Sequence, residues 1–268
     1  MELFAWAGFL VLIAFFLALD LGVFHKDDEV VSTKSALKWM GVWFTTALAF
    51  NVLIYYGYEN HWLGMGLADG SEHNGRDAAI KFLTGYVVEL SLSLDNIFVI
   101  ALVFGFFKVA PQYQHRVLFW GILGAVVLRV TMILAGTALI KNFAFTIYIF
   151  GGILIFSALK MLFSDGEEEF DPEKSRIVKL TRKFIPISPK MDGSKFFTVV
   201  DGKKMATPLF LVLLVVEGTD VVFAVDSIPA IFGVTTDPFL VFTSNIFAIL
   251  GLRSLYFALA GLLRQFAF

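Results

Sequence analysis

The chain has 268 residues, of which 58% are hydrophobic and 16% charged, with a mean hydropathy of +0.78 and a net charge of −2. A soluble domain carries about 45–50% apolar and about 25% charged residues, so this composition suits lipid as solvent, and no basic domain is present to bind nucleic acid. The absence of cysteine excludes disulfides, thiolate metal centres, cysteine nucleophiles and iron–sulfur clusters.

In chain order, MELFAWAGFLVLIAFFLALD lacks a basic leading region and a small-residue cleavage site, so it reads as a retained first helix and not a signal peptide. A bilayer core about 30 Å thick needs about 20 mostly apolar residues per helix. Seven stretches qualify: Leu3–Phe24, Trp39–Tyr58, Phe82–Phe107, Val117–Ile140, Asn142–Leu162, Thr207–Phe232 and Phe239–Leu263. The predicted fold is all-α, a polytopic bundle of seven transmembrane helices forming a single transmembrane domain over residues 1–268. Residues 163–206 are the one long polar segment. They start with the acidic run Asp165–Glu169 and continue with many Lys and Arg. This segment is expected to be a solvated cytoplasmic loop with a surface helix and a short hairpin around Phe196–Asp201. Lys and Arg crowd alternate loops: Lys26, Lys34 and Lys38, then Lys108 and Arg116, then nine between Lys174 and Lys204. The other loops hold only Arg76, Lys81 and Lys141. The positive-inside rule then sets the N-terminus outside and the C-terminus in the cytoplasm.

The third helix carries VVELSLSLDNIFV and the sixth VVEGTDVVFAVDSIPAIFGV. The fourth carries WGILGAVVLR and the seventh NIFAILGLR. An acidic helix is thus followed twice by a Gly-rich helix with an Arg. The first unit (80–163) is completed by the fifth helix. The second (207–268) has no third helix before Phe268 and reads as incomplete. The two units enter the membrane from opposite sides, an inverted repeat of the kind that places transporter sites near the midplane.

Glu89, Asp95, Glu217, Asp220, Asp226, Arg129 and Arg253 are ionisable residues inside apolar helices. Insertion costs about 2.5–3.5 kcal/mol for each Asp, Lys or Arg at a helix centre, so seven facing lipid would cost on the order of 20 kcal/mol, more than an ordinary domain's stability. They must face one another, water or an ion. At 1.5 Å per residue, Glu89, Arg129, Glu217 and Asp220 fall about 12–20 Å into the bilayer core. Five carboxylates and two guanidiniums leave an excess of negative charge that a divalent cation and a proton would balance. The donors are oxygens, from the carboxylates, Asn96, Ser227 and freed carbonyls, which suit hard ions such as Mg, Ca and Mn. All four His lie in loops or at helix ends. Pro229 is expected to break the sixth helix just after Asp226, freeing carbonyls and bending the chain so that Glu217 and Asp226 can share a site. Arg129 and Arg253 read either as counter-ions locking helices together or as gating groups. Asn51, Ser244 and Asn245 read as interhelical hydrogen-bond donors. Asp20 is placed at the inner interface, with a ligand or gate role as the alternative.

The stretches Glu89–Val99, Glu217–Val234, TTDPF, TSNIFAILGLR, YIFGGILIFSALKM and FLALDLGVF closely resemble the TerC/Alx family of bacterial membrane proteins, nearly end to end. The most specific signals are SLDN and DSIPA. The resemblance implies manganese export across the inner membrane, with acidic-motif residues Glu89, Asp95, Asn96, Glu217, Asp220 and Asp226. It also implies two further helices beyond the segment ending at Phe268, the first of which would complete the second repeat. The expected partners are a divalent metal ion as cargo and membrane lipid, with no nucleic acid and no resident cofactor. An exporter of small organic solutes would show fewer carboxylates and a more neutral lining. A structural or stress-response membrane protein is the other alternative. An enzyme is not expected, because no GxGD protease motif occurs and both membrane Arg have acidic residues nearby.

Overall fold

A computed structural model describes residues 2–24, 32–67, 74–163 and 175–266. The acidic run 165–169 lies outside them, and the side chain of Asp20 is outside the described set although its backbone is helical. The elements are α1 (Glu2–Phe24), α2 (Thr33–Glu59), α3 (Gly75–Phe106), α4 (Pro111–Asn142), α5 (Thr146–Phe163), α6 (Arg176–Phe184), β1 (Phe197–Val200), β2 (Lys203–Ala206), α7 (Pro208–Val234) and α8 (Pro238–Phe266). Each of the seven apolar stretches coincides with a helix, and α6 makes eight among the described residues. Five helices, α2, α3, α4, α7 and α8, are long and apolar enough to cross a membrane. The apolar stretches described in α1 and α5 are shorter, Leu3–Leu19 and Thr146–Lys160.

Local chemistry sets where the helices start. Asn74 caps α3 by accepting from the Asp77 amide at 2.7 Å, and Pro111 and Pro208 open α4 and α7, where a missing N–H costs nothing. Asp237 does double duty before α8. Its Oδ1 accepts from the Phe239 amide at 2.9 Å, and its Oδ2 accepts from the Tyr58 hydroxyl at 2.8 Å, tying α8 to the end of α2. Between α6 and α7, β1 and β2 pair antiparallel, with Val200 opposite Lys203. The turn residues Asp201 and Gly202 both have positive φ, 50° and 73°. A two-residue hairpin with right-handed strand twist requires this geometry.

The buried side chains form two apolar clusters. The first joins α1 and the later half of α2 to the start of α3 (Ala78, Phe82, Tyr86), the end of α7 (Ala224–Phe232) and the start of α8. Phe50, Phe82 and Phe247 stack there with centroids 4.7–6.0 Å apart. The second joins the later half of α3 (Ile97–Phe104), the start of α4 (Val117, Leu118), the start of α7 (Leu209–Val216) and the later half of α8. On α3 the chain passes from the first cluster to the second, and on α7 from the second to the first. Helix α4 follows the direction of α7, and α8 that of α3. The boundary between the clusters falls at residues 90–97 on α3 and 216–224 on α7, and the candidate site lies there.

Candidate functional site

On α3, successive residues turn by about 100°. Glu89, Ser93 and Asn96 therefore share one face, and all three are buried. Asp95 falls about 240° from Glu89, and it is exposed. The carboxylate of Glu89 takes an ion pair from Arg129 Nη1 of α4, a hydrogen bond from Asn245 Nδ2 of α8 at 2.8 Å, and a longer one from Ser93 Oγ at 3.4 Å.

Arg129 is the hub of the site. Its Nη1 also reaches Ser227 Oγ of α7 and Asn245 Oδ1 of α8, each at 3.2 Å. Its Nη2 lies 3.5 Å from Asp220 Oδ1 of α7. Asn96 Nδ2 donates to the same Asp220 oxygen at 3.1 Å. Four helices thus meet in one buried network of two carboxylates, one guanidinium, two amides and two hydroxyls, with a formal charge of −1. The network is not closed. Asp220 Oδ2 and Asn96 Oδ1 are buried and have no hydrogen-bond partner among the described residues. A buried acceptor left open costs about 1–3 kcal/mol, more when charged, so these two oxygens call for a donor or a cation.

The remaining predicted site residues are placed elsewhere. Glu217 is half-buried and its carboxylate lies against Gly124 of α4, where any Cβ would overlap it. Asp226 accepts from Ser157 Oγ of α5 at 2.6 Å. The expected break at Pro229 is absent: α7 runs unbroken from Pro208 to Val234 with Pro229 inside it and buried. The ring costs one backbone bond near the helix end, where few further turns depend on it. With α7 straight, Glu217 and Asp226 stay about 180° apart and do not share a site. Arg253 is fully buried, but its Nη1 meets His115 Nε2 of α4 at 3.2 Å and it stands outside the Arg129 network. Asn51 is half-buried on α2 with its Oδ1 buried and unpartnered. Asn245, expected to be an interhelical donor, is both donor and acceptor at the centre. Ser244 returns its hydroxyl to the Leu240 carbonyl at 2.7 Å, within α8. Among the described residues, no three His, Asp or Glu side chains are grouped as a metal ligand set. The straight α7 and the guanidinium between Glu89 and Asp220 account for this.

The family model described as "Integral membrane protein TerC family" matches residues 74–268. The chain belongs to the TerC family. The matched region holds the whole Arg129 network. Among curated relatives of this TerC chain, an uncharacterised membrane protein of Myxococcus xanthus is 48% identical over 263 residues, 98% of this chain and 77% of its own length. A protein of Escherichia coli K12, provisionally named membrane-bound redox modulator Alx, is 44% identical over 98% of this chain and 79% of its own. An uncharacterised membrane protein of Rickettsia bellii is 41% identical over 98% and 82%. No solved structure matches.

Sequence reasoning missed three residues that hold the acidic groups of this TerC protein, Ser93 within the Arg129 network and two outside it. Ser93 sits one turn from Glu89 and points the same way, a spacing visible in SLSLDN. Gly124 gives Glu217 its place, and only the packing reveals it. Ser157 gave no sequence signal, because a lone hydroxyl in an apolar helix is usually satisfied by its own backbone.

Proposed function

We propose that this TerC-family protein carries a divalent cation, Mn2+, out across the bacterial inner membrane, with its N-terminus outside and its C-terminus in the cytoplasm. The observation that carries the reading is the pair of open, buried oxygens, Asp220 Oδ2 and Asn96 Oδ1, beside Glu89. They are hard oxygen donors at the level where one apolar cluster gives way to the other. Such donors favour Mn, Mg or Ca over softer ions. The apolar clusters on either side would act as the two seals that open in turn. The opposed directions of α3 and α7, and of α4 and α8, agree with two units of inverted topology packed about that level.

Arg129 supplies the gate in this reading. While it holds Glu89 and Asp220, the network carries one negative charge and the carboxylates are engaged. A divalent ion drawn to Asp220 and Asn96 competes with the guanidinium for both carboxylates. Its release restores the Arg129 pairs, and a proton taken up in exchange would keep the site from carrying excess charge. The reading involves no catalysis and no resident cofactor. With no cysteine in the chain, a redox effect of the kind named for the Escherichia coli relative would reach the cell through metal supply and not through thiols of this protein.

The test is Mn2+ flux into proteoliposomes holding a metal-sensitive dye. The wild-type chain should give saturable, Mn2+-dependent flux. Asp220→Asn and Asn96→Ala should each reduce it by at least about ten-fold, as expected when about 1.4 kcal/mol or more of ion binding is lost. Unchanged flux in Asp220→Asn, with the protein folded and inserted, would overturn the site. An absence of metal-dependent flux in the wild type would overturn the function.

A further inference from the structure

Residues 176–204, which follow the acidic stretch 165–173, hold eight Lys and Arg against two Asp. Within them, α6 divides into three faces. Val178 and Thr181 are buried, and Ile177 presses on Gly218 of α7 so closely that a Cβ there would overlap its Cδ1. On the far side, Lys179 and Lys183 lie one turn apart and exposed. Along the flank between these faces runs an apolar ridge, Leu180 and Phe184, 60% and 71% exposed. The Lys183 ammonium stands 5.8 Å from the Phe184 ring. The hairpin repeats this pairing, with Lys204 Nζ 5.7 Å from the 46%-exposed Phe197 ring. A solvated loop gains nothing by exposing such a ridge. A helix at a membrane surface buries its apolar flank among acyl chains and sets its cations among headgroups.

Depth agrees with that placement. Helix α7 has 27 residues, about 40 Å, which exceeds a bilayer core of about 30 Å by about two turns at its two ends together. Ile177 meets α7 ten residues, about 15 Å, from its start. With the overhang shared between the ends, the contact lies about 10 Å inside the core boundary, the depth to which an interfacial helix buries its apolar face. Arg116 holds the following loop to α4, donating to Ser194 Oγ at 3.2 Å and lying 5.1 Å from the Phe196 ring. The segment is therefore fixed to the bundle with its cations turned outward.

We propose that α6 docks on the anionic phospholipid headgroups of the bilayer in which the protein sits, with Leu180 and Phe184 inserted and Lys179 and Lys183 bound to phosphate. This does not depend on the transport reading. Because Gly218 adjoins Glu217 and is two residues from Asp220, a docked α6 also fixes the part of α7 that carries the site.

The chain's lack of cysteine makes the test direct. The full chain carrying Phe184→Cys, labelled with an environment-sensitive fluorophore, is placed in nanodiscs of phosphatidylcholine with and without phosphatidylglycerol. The expected result is a blue shift and quenching by brominated lipid that grow with phosphatidylglycerol and fall with salt. Replacing Lys179 and Lys183 with Gln should lower the docked fraction's ratio by roughly five-fold per cation. Leu180→Cys serves as a second reporter in case Phe184→Cys disturbs folding. A label that stays in water in both bilayers overturns the proposal. So does quenching that ignores both phosphatidylglycerol and salt, or a blue shift that follows protein concentration, which would put a second copy on this face.

Discussion

Arg129 makes its polar contacts on three helices besides its own, through one planar group that only donates. Arg129→Ala removes the sole cation of a network holding two buried carboxylates, and breaking such a pair costs about 3–5 kcal/mol. The expected outcome is a marked fall in the thermal midpoint in detergent and a reduced yield of folded protein, read by size-exclusion thermal challenge. Arg129→Lys should recover only part of the loss, because an ammonium cannot span Glu89 and Asp220 together. Asp226 belongs to a different contact. Asp226→Asn keeps an acceptor for Ser157 Oγ and should leave stability within about 0.5 kcal/mol of wild type, and Mn2+ flux should fall far less than in Asp220→Asn.

At this scale the sequence told a divided story. Glu89, Asn96, Arg129, Asp220, Ser227 and Asn245 were all legible, because polar groups in apolar helices are expensive and their number was small. Which of the acidic residues meet was not legible for α7. Helices that are apolar on all sides have no polar stripe to show which way they face, and the assumed break at Pro229 brought together residues that a straight helix keeps apart. The α3 case was readable in principle, since the turn per residue alone separates Asp95 from Glu89 and Asn96.

Among the elements, α6 and the hairpin carry their own predictions. A side chain larger than hydrogen at 218 must displace Ile177. Gly218→Val should loosen α6 from α7 and speed trypsin cleavage at Lys179–Lys183 several-fold, while the helical content of the whole protein stays constant. At the foot of the hairpin, hydrogen bonds from Thr198 and Lys195 hold the Asp192 carboxyl below its ordinary range. Its folded-state value is depressed, so its support is fully present above the usual carboxylate value of about 4 and disappears as pH falls below it. Amide protection at Thr198–Val200 should therefore drop on acidification in wild type, and Asp192→Asn should flatten that response. The hairpin itself was anticipated at about the right place, but its turn was not. The sequence cue was Asp201-Gly202, whose positive φ values suit a two-residue loop.

For the whole molecule, the cysteine-free chain again gives a clean measurement. With the proposed orientation, Ser194→Cys should be shielded from an impermeant maleimide in intact spheroplasts and react after lysis, whereas Asn60→Cys should react in both. The reverse pattern would invert the topology. The seven apolar stretches were legible as helices because each is an apolar run on the scale of a bilayer. Among the described residues, however, five of them are long and apolar enough to span one, and α3 starts at Gly75, seven residues before the expected Phe82. The two apolar clusters with a polar layer between them were not, because they depend on which helices touch. Helix α8 shows this most clearly. It is the most enclosed of the five long apolar helices, yet its sequence looks no more apolar than its neighbours.

The sharing of Glu89 and Arg129 between consecutive helices bears on how the protein is made. Helices α3 and α4 leave the ribosome one after the other, so Glu89 and Arg129 can enter the bilayer as an ion pair, each offsetting the other's insertion penalty before any later helix exists. Asp220 emerges much later with no cation of its own on α7, and must borrow the second amine of a guanidinium already in place. Asn245 comes last and bridges the pair. Assembly in the translocon is thereby ordered by charge: an early self-sufficient couple, then a debtor, then the amide that fastens them.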